Sequence, residues 1–498
     1  MMRSPTRIPT SAMRRPVGDI AYRNAANVRS APMRLTRLLA PAASSNLVDR
    51  LHSVHTKSDP ARGPFIDRLL SSHLREHIGE RVRLAGWLHN LRPLSQVSFV
   101  LLRDRAGVTQ IVAEDKELRE WVSKLPAESV LEVEGLVTAE GRATNGVEVH
   151  EPVIRLITAS TSTPPIELQR PVLKEQPPTI LDHAAVALRH PPRRAVLEIS
   201  AAAIAGFRSA LEELEFTEIN TPKIVGSTTE TGANVFVVDY FGRDAYLAQS
   251  PQFYKQIMVG VLERVYETGP VFRAEPHNTA RHLAEYVSLD AEMGFIRDHS
   301  DVMSVVTASV AGMVDGIRTA AAPAVDLLGV ILPDVPDIIP ELDFEAAQQL
   351  IEDATGESVV GEPDLAPSHE RWLGEWAQRE RESDFVFVTG YPMSKRPFYT
   401  YPDPDRPSRS KSFDLLFRGL EIVTGGQRLH LYEDYLAALR SRDEDPSSYE
   451  GYLEAFRYGM PPHGGFAIGL ERFVARVVRA PNVRDATLFP RDINRLLP

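Results

Sequence analysis

The chain of 498 residues contains no cysteine. That absence excludes disulfides, thiolate zinc sites, iron–sulfur clusters and a thiol nucleophile. No stretch approaches the roughly 20 apolar residues that a membrane-spanning helix requires, so no membrane partner is expected. The leading segment lacks the apolar core of a secretory signal. A basic surplus is missing too: 56 lysines and arginines stand against 67 acids. Residues 1–50 nevertheless hold nine arginines and only two aspartates, which leaves the remainder strongly acidic. Such a body is a poor nonspecific binder of nucleic acid, so any polyanion it handles must meet cations gathered in a cleft. Residues 1–64 read as a disordered basic extension. Their arginine, alanine, serine and proline content resembles a transit peptide, and a flexible tail or an upstream-misassigned start accounts for it equally well.

What remains is ordinary for a globular protein, 43% apolar and 25% charged, with length for two to four domains at roughly 100–200 residues each. Short alternating runs at Arg81–Asn90, Ser98–Asp104, Val108–Ala113, Ser129–Thr138 and Val147–Thr158 predict five strands. A short helix fits Asp115–Lys124. This pattern places a small closed β-barrel of the OB type in residues 65–162. The proline-rich stretch 163–192 reads as a linker or hinge. From 193 to 498, an amphipathic helix over Arg193–Glu215 is followed by mixed strands and helices without regular βαβ alternation. That order predicts an α+β unit built on an antiparallel sheet flanked by helices. An acidic, proline-bearing insertion is expected at about 300–385.

Four segments are dense in polar groups. Phe272-Arg-Ala-Glu275, a loop with Arg281-His282, and Tyr286 through Asp290 are expected to form one strand pair. On it Arg273, Glu275, Tyr286 and Asp290 share a face. In Gln249-Ser-Pro-Gln-Phe-Tyr-Lys255, a helical lysine behind an aromatic pair ordinarily snorkels to solvent. Arg396-Pro-Phe-Tyr399 is followed by Phe413 to Arg428, whose Gly425-Gly426 pair lets the backbone bend between Glu421 and Arg428. Gly459-Met-Pro-Pro-His-Gly-Gly465 reads as a glycine-rich turn leading to a helix at Gly469-Leu-Glu-Arg472, an entry that suits an anion. Each has a commoner structural explanation when taken singly, such as a surface ion pair or a packing turn.

Taken in order, the segments resemble the three signature motifs of class II aminoacyl-tRNA synthetases, and among these the archaeal-type aspartyl enzymes. Phe216-Thr-Glu-Ile-Asn-Thr-Pro222 resembles motif 1, whose proline lies at the family's homodimer interface. Phe272 to Asp290 resembles motif 2, and Gly469 to Arg472 motif 3. The resemblance covers roughly residues 65 to 498. It implies a cytoplasmic enzyme that activates aspartate with ATP as aspartyl-adenylate and then transfers the aspartyl group to tRNA(Asp). Arg273, Glu275 and Arg472 would serve catalysis, Arg273 at the α-phosphate and His282 near the γ-phosphate. Arg281, Tyr286, Glu421 and Gly469 would complete the ATP site, with adenine between Tyr286 and Arg472. Glu421 and Thr424 would hold Mg²⁺. Lys255 and Arg428 would grip the aspartate side chain, Glu230 and Asp290 its α-ammonium, with Gln252, Tyr399 and Thr424 completing the pocket.

Phe99, Gln110 and His89 match the family's anticodon-reading positions. The Trp87-Leu-His89 sequence resembles relatives that also charge tRNA(Asn), whose product a separate tRNA-dependent amidotransferase converts. Thr231, Asn234 and Lys411 depart from the family pattern without an assignable effect. Two other functions compete. A catalytically retired RNA-binding paralogue would have no need of Lys255, Arg273, Glu421, Arg428 and Arg472. A ligase with a non-tRNA acceptor would have no need of the barrel.

Overall fold

The computed structural model describes residues 68–143, 145–226 and 234–497. The extension 1–64, Glu230 and Thr231 lie outside them. Strands β1 (Arg81–Pro93), β2 (Ser98–Arg103) and β3 (Val108–Ala113) lead to helix α1 (Lys116–Val122), whose first turn is capped by Asp115 accepting from the Leu118 amide at 2.7 Å. Strands β4 (Val130–Ala139) and β5 (Val147–Thr158) then close a barrel in the order β1-β2-β3-β5-β4. Alternate residues Leu84, Val100, Leu102, Ile111, Val133 and Val149 fill its interior, as the two-residue pleat requires. The opposite face pairs Arg92 with Phe99, Phe99 with Val112, and Leu101 with Gln110. A bulge between Leu88 and Asn90 bends β1 and carries it beyond the expected end to Pro93.

The stretch 163–192 is folded rather than a bare linker. Helices α2 (Pro177–Asp182) and α3 (Ala184–Ala187) bury Ala187 against Ile166 and Leu168. Helix α4 (Pro191–Glu213) starts two positions before its expected origin. Pro177-Pro178 and Pro191-Pro192 sit in first helical turns, where a missing N–H costs nothing.

After α4 come the short strands β6 (Thr217–Glu218), β7 (Ile224–Val225), β8 (Val237–Asp239) and β9 (Asp244–Leu247), then α5 (Gln252–Leu262) and the long pair β10 (Arg264–Phe272) and β11 (Glu285–Gly294). Helices α6 (His299–Ala320) and α7 (Ala322–Leu328) precede β12 (Glu341–Asp343), α8 (Phe344–Thr355), α9 (Pro367–Arg381) and β13 (Phe385–Thr389). The chain finishes with β14 (Ser412–Phe417), β15 (Leu420–Gln427), α10 (Tyr432–Arg440), α11 (Glu450–Arg457), β16 (His463–Gly469) and α12 (Leu470–Val477). An eight-stranded sheet runs β12-β13-β14-β15-β16-β11-β10-β6, antiparallel except at its two ends. Apolar residues of α4, α6 and α12, among them Ile199, Phe207, Val306, Met313 and Phe473, pack with Phe413 and Phe466 of the sheet into the main core.

Residues 300–385, expected as an insertion within this unit, are built into it: α6 lies in the main core, β12 extends the sheet, and α9 packs against β13, β14 and β15. One expectation is corrected here. Helix α6 is also long and apolar enough to cross a membrane by composition, contrary to the reading that no such stretch exists. Its Val302, Val306, Val310 and Ile317 are fully buried in the main core, and that burial accounts for its apolar character.

Candidate active site

One cavity of about 620 Å³ opens where β11, β15 and β16 meet α5, the loop after β10 and the start of α12. Lys255, Arg273, Arg281, Glu421, Arg428 and Arg472, which lie far apart in the chain, all line it. Gln252, Glu275, His282, Tyr286, Tyr399, Thr424 and Gly469 line it as well. Asp290 lies against it through its bond to Lys255.

At one end, Lys255 does not snorkel: its side chain is 2% exposed. Its Nζ donates to Asp290 Oδ1 at 3.0 Å and to the Phe466 carbonyl at 3.0 Å, and stands 3.3 Å from Glu292 Oε2. Arg428 donates through Nε to Glu292 Oε1 at 3.0 Å and through Nη2 to the Gly465 carbonyl at 2.9 Å. The Arg428 guanidinium also lies 5.5 Å from the Tyr399 ring centroid. Glu292 is therefore the hub of this end, and sequence reasoning missed it. The signal was available, since Ser288, Asp290 and Glu292 continue the alternation of β11 begun at Tyr286. Gly465 pairs with Glu292 across β16, and a Cβ there would fall 2.1 Å from Glu292 Oε2. The glycines of Gly464-Gly465 thus lie in a strand, not a turn, and one of them makes room for the carboxylate. Burial pushes the Glu292 carboxyl up, but Arg428 and Lys255 outweigh it and hold it below the usual range. The buried amide nitrogen of Gln252 has no partner and remains as a spare donor.

Gly425 and Gly426 do not bend the chain either, because β15 runs through them to Gln427. A Cβ on Gly425 would lie 2.5 Å from the Phe413 ring, so the missing side chain admits that ring. This keeps Glu421 and Thr424 on one strand, with Arg428 directly after its last residue.

The other end is richer in arginine and less buried. Arg273 follows β10, its amide donating to the Ala284 carbonyl at 2.9 Å, and its guanidinium lies 5.8 Å from the Tyr286 ring centroid. Arg472 donates to the Glu421 carbonyl at 3.2 Å and stands 3.6 Å from its carboxylate. Arg281 donates through Nη2 to both oxygens of Glu370, at 2.9 and 2.7 Å. His282 bonds Thr279 through Nδ1 at 2.7 Å, and burial, helped by the Arg472 charge, pushes its pKa down. Glu471, beside Arg472, accepts from the Val287 amide at 3.1 Å, and burial pushes its pKa up to about 7.

Thr424 Oγ1 donates to Glu421 Oε1 at 3.0 Å, and Asp414 pairs with Thr424 across β14 and β15. Asp414 Oδ2 accepts from Arg396 at 3.1 Å, while its buried Oδ1 has no partner. Burial, opposed by Arg396 and aided by Glu421, pushes the Asp414 pKa up to about 6. For Glu421 the burial penalty is outweighed by Arg472 and the Thr424 hydrogen bond, and its pKa is lowered. Among the described residues no group of three or more histidines, acids or cysteines could hold a metal unaided. Two carboxylates, one of them with an oxygen to spare, and a hydroxyl fit instead a hard cation that completes its shell with phosphate and water. Glu370 was not singled out from sequence, and Arg396 and Asp414 were named only within a polar segment with no role given, because each acts through partners remote in the chain.

On the barrel, Gln110 donates to Glu148 and lies half-buried on the outer face, as does Phe99. His89 sits elsewhere, at the far end of β2 from Phe99. It bonds Arg103 at 3.2 Å, Arg103 forks onto Glu128 at 2.8 Å, and Arg189 closes on Glu128 at 3.0 Å. Burial and the Arg103 charge push the His89 pKa down to about 4, so it belongs to the junction with the α3–α4 segment. Pro222 stands exposed between β6 and β7.

Residues 176–493 match the family described as tRNA synthetases class II (D, K and N), and residues 82–157 match an OB-fold nucleic acid binding domain. The chain is 48% identical to an aspartate–tRNA(Asp/Asn) ligase of Thermus thermophilus, over 86% of this chain and 100% of that one. It is 38% identical to an aspartate–tRNA(Asp) ligase of Thermococcus kodakarensis, over 86% and 99%. Among solved structures it resembles the asparaginyl-tRNA synthetase of Pyrococcus horikoshii complexed with asparaginyl-adenylate, with a TM-score of 0.81 at 32% identity over 87% and 100%.

Proposed function

The chain belongs to the class II tRNA synthetases of the aspartate, lysine and asparagine group, and from that premise we propose that it ligates L-aspartate to tRNA(Asp) and also to tRNA(Asn). The observation that carries this reading is the union in one cavity of a buried Lys255–Arg428 pair with the cluster of Arg273, Arg281 and Arg472. A side-chain carboxylate fits the first and a polyphosphate the second.

The aspartate α-carboxylate attacks the α-phosphorus of ATP; the bond to the bridging oxygen breaks, and pyrophosphate leaves. No protein nucleophile is needed, so the chain's task is to orient both reactants and meet the developing charge. Arg273 neutralises the α-phosphate, while Arg281 and His282 face the leaving phosphates. Tyr286 supplies a ring face for adenine and Arg472 a cation beside it. Glu421 and Thr424 would hold Mg²⁺, with Asp414 Oδ1 as a spare oxygen on the neighbouring strand. When bound there, the ion offsets phosphate charge. Asp290 and Glu230 receive the α-ammonium. The terminal ribose hydroxyl of tRNA then attacks the mixed anhydride and releases AMP. Gln110 and Phe99 read the anticodon by hydrogen bonding and stacking.

Charging of tRNA(Asn) is supported by the Asp/Asn names of relatives at 48% and 45% identity, and it requires a downstream amidotransferase. We place the enzyme in the cytoplasm as a homodimer with Pro222 at its interface. The test is a charging assay with ATP, purified tRNA(Asp) and tRNA(Asn), and either aspartate or asparagine. Aspartate should be joined to both tRNAs. Acceptance of asparagine, or no aspartate-dependent pyrophosphate exchange, would overturn the reading.

A further inference from the structure

We propose that Glu370, a buried carboxylate on α9 outside every signature segment, is a positioning residue that presets Arg281 for the ATP polyphosphate. The inference rests on the adenylate-forming reading above and deepens it.

Glu370 makes three contacts in two directions. Both oxygens receive Arg281 Nη2, at 2.9 and 2.7 Å, and Oε2 also accepts the Glu421 amide at 3.1 Å. One carboxylate therefore joins the loop after β10 to the start of β15. The side chains of the pair are 23% and 9% exposed for Arg281 and Glu370, too enclosed for the loose, screened pairing of surface ions. A carboxylate is buried at a cost unless it is paired and hydrogen-bonded. Burial pushes the Glu370 pKa up and Arg281 pulls against it, so the carboxylate depends on this arginine. Arg281 lines the cavity, and Glu370 does not. Glu370 therefore reaches substrate only through the guanidinium it holds. An arginine held in advance does not have to order its long side chain when ATP arrives, which favours binding. The same contact holds the backbone of Glu421, so the polyphosphate cation and the candidate metal carboxylate keep one frame.

Glu370→Gln weakens one limb and keeps the other. The amide oxygen at the Oε2 position still accepts from the Glu421 amide and from Arg281 Nη2, while the NH₂ group replaces the second acceptor of Arg281 and the ionic attraction is lost. In aspartate-dependent ATP–pyrophosphate exchange, the KM for ATP should rise about tenfold, while the KM for aspartate stays within about twofold. The melting temperature should stay close to that of the unmutated chain. In an Arg281→Met background the same change should have no further effect on the KM for ATP. An unchanged or lowered KM for ATP would overturn the proposal, a fall indicating that Glu370 withholds Arg281 from ATP. An equal rise for both substrates, or an undiminished effect in the Arg281→Met background, would overturn it as well. If Glu370→Gln does not fold, Glu370→Asp keeps the charge one methylene short and should give a smaller rise of the same kind, with the same overturning results. No exchange by the unmutated chain would overturn the parent reading and this inference together, whereas the variant results in an active chain bear on this inference alone.

Discussion

The two ends of the cavity hold similar charges in different solvents. Lys255, Asp290, Glu292 and Arg428 have side chains 2%, 1%, 0% and 8% exposed, whereas Arg281, Arg472 and Glu421 stand at 23%, 25% and 35%. In the dry end each charge depends on its partners, because a buried ion left alone is penalised heavily. On the proposed reading that end discriminates: asparagine, of nearly the same shape as aspartate, brings no charge to answer Lys255 and Arg428. At the wetter end the charges are screened and their side chains can adjust, which suits a long, flexible polyanion. Selection of the amino acid is thus assigned to the buried half, and the handling of transferred charge to the open half.

The largest expected effect breaks the dry end. Lys255→Leu leaves Asp290 and Glu292 without their ammonium, which should abolish aspartate-dependent exchange and destabilise the fold by about 3–5 kcal/mol. ATP binding measured by calorimetry should survive below the lowered melting temperature. Retained exchange would show that the buried half does not select the substrate. At the open half, Arg273→Ala should slow single-turnover adenylate formation by about 10²–10³-fold with little change in melting. A near-normal rate would mean that the cation over Tyr286 does not meet the developing phosphate charge.

A pH experiment sharpens the contrast, because one acid backing the open half, Asp414, is itself buried. The pKa of Asp414 is raised from 3.8 to about 6 in the folded chain, so folding favours its protonated form. Its contribution to stability is therefore complete below the ordinary carboxylate pKa and is lost as pH rises through about 6. A cation needs the ionised form. The Mg²⁺ concentration that gives half-maximal exchange should rise as pH falls through about 6, and Asp414→Asn should flatten that dependence. The same pH profile before and after the substitution would remove Asp414 from the metal's surroundings.

The barrel was legible because its strands pair with near neighbours and their alternation shows in the chain itself. Val108–Ala113 and Val147–Thr158 coincide with the expected spans. The places of α6 in the core and β12 in the sheet were not legible, because a long apolar helix gains its meaning from the sheet it covers, which local spacing does not express. In the site, the residues of the signature segments came from resemblance, and the cavity gathers them. Glu292, Asp414 and Glu370 were given no role because their importance lies in contacts such as Arg428–Glu292 and Arg281–Glu370, across 136 and 89 positions. Physical reasoning can recover such carboxylates from a strand's alternation only after the strand's partner is known.

The barrel's outer face extends the comparison to a surface where, on the proposed reading, a ligand is read without burial. Phe99 is half-buried there, and the Gln110 amide is oriented by Glu148, whose other oxygen bonds His150 at 3.2 Å. Stacking on an exposed aromatic ring is worth about 1–3 kcal/mol per base, so Phe99→Ala should lower kcat/KM for tRNA by about 10-fold or more while exchange proceeds unchanged. His89 provides the contrast. Its ring faces Arg103 and the Glu128–Arg189 contact instead of this outer face, so His89→Ala should leave tRNA charging within about twofold, the smallest effect of the set. A loss as large as that from Phe99→Ala would mean that the junction takes part in tRNA recognition and that the reading surface extends along β2 to Arg103.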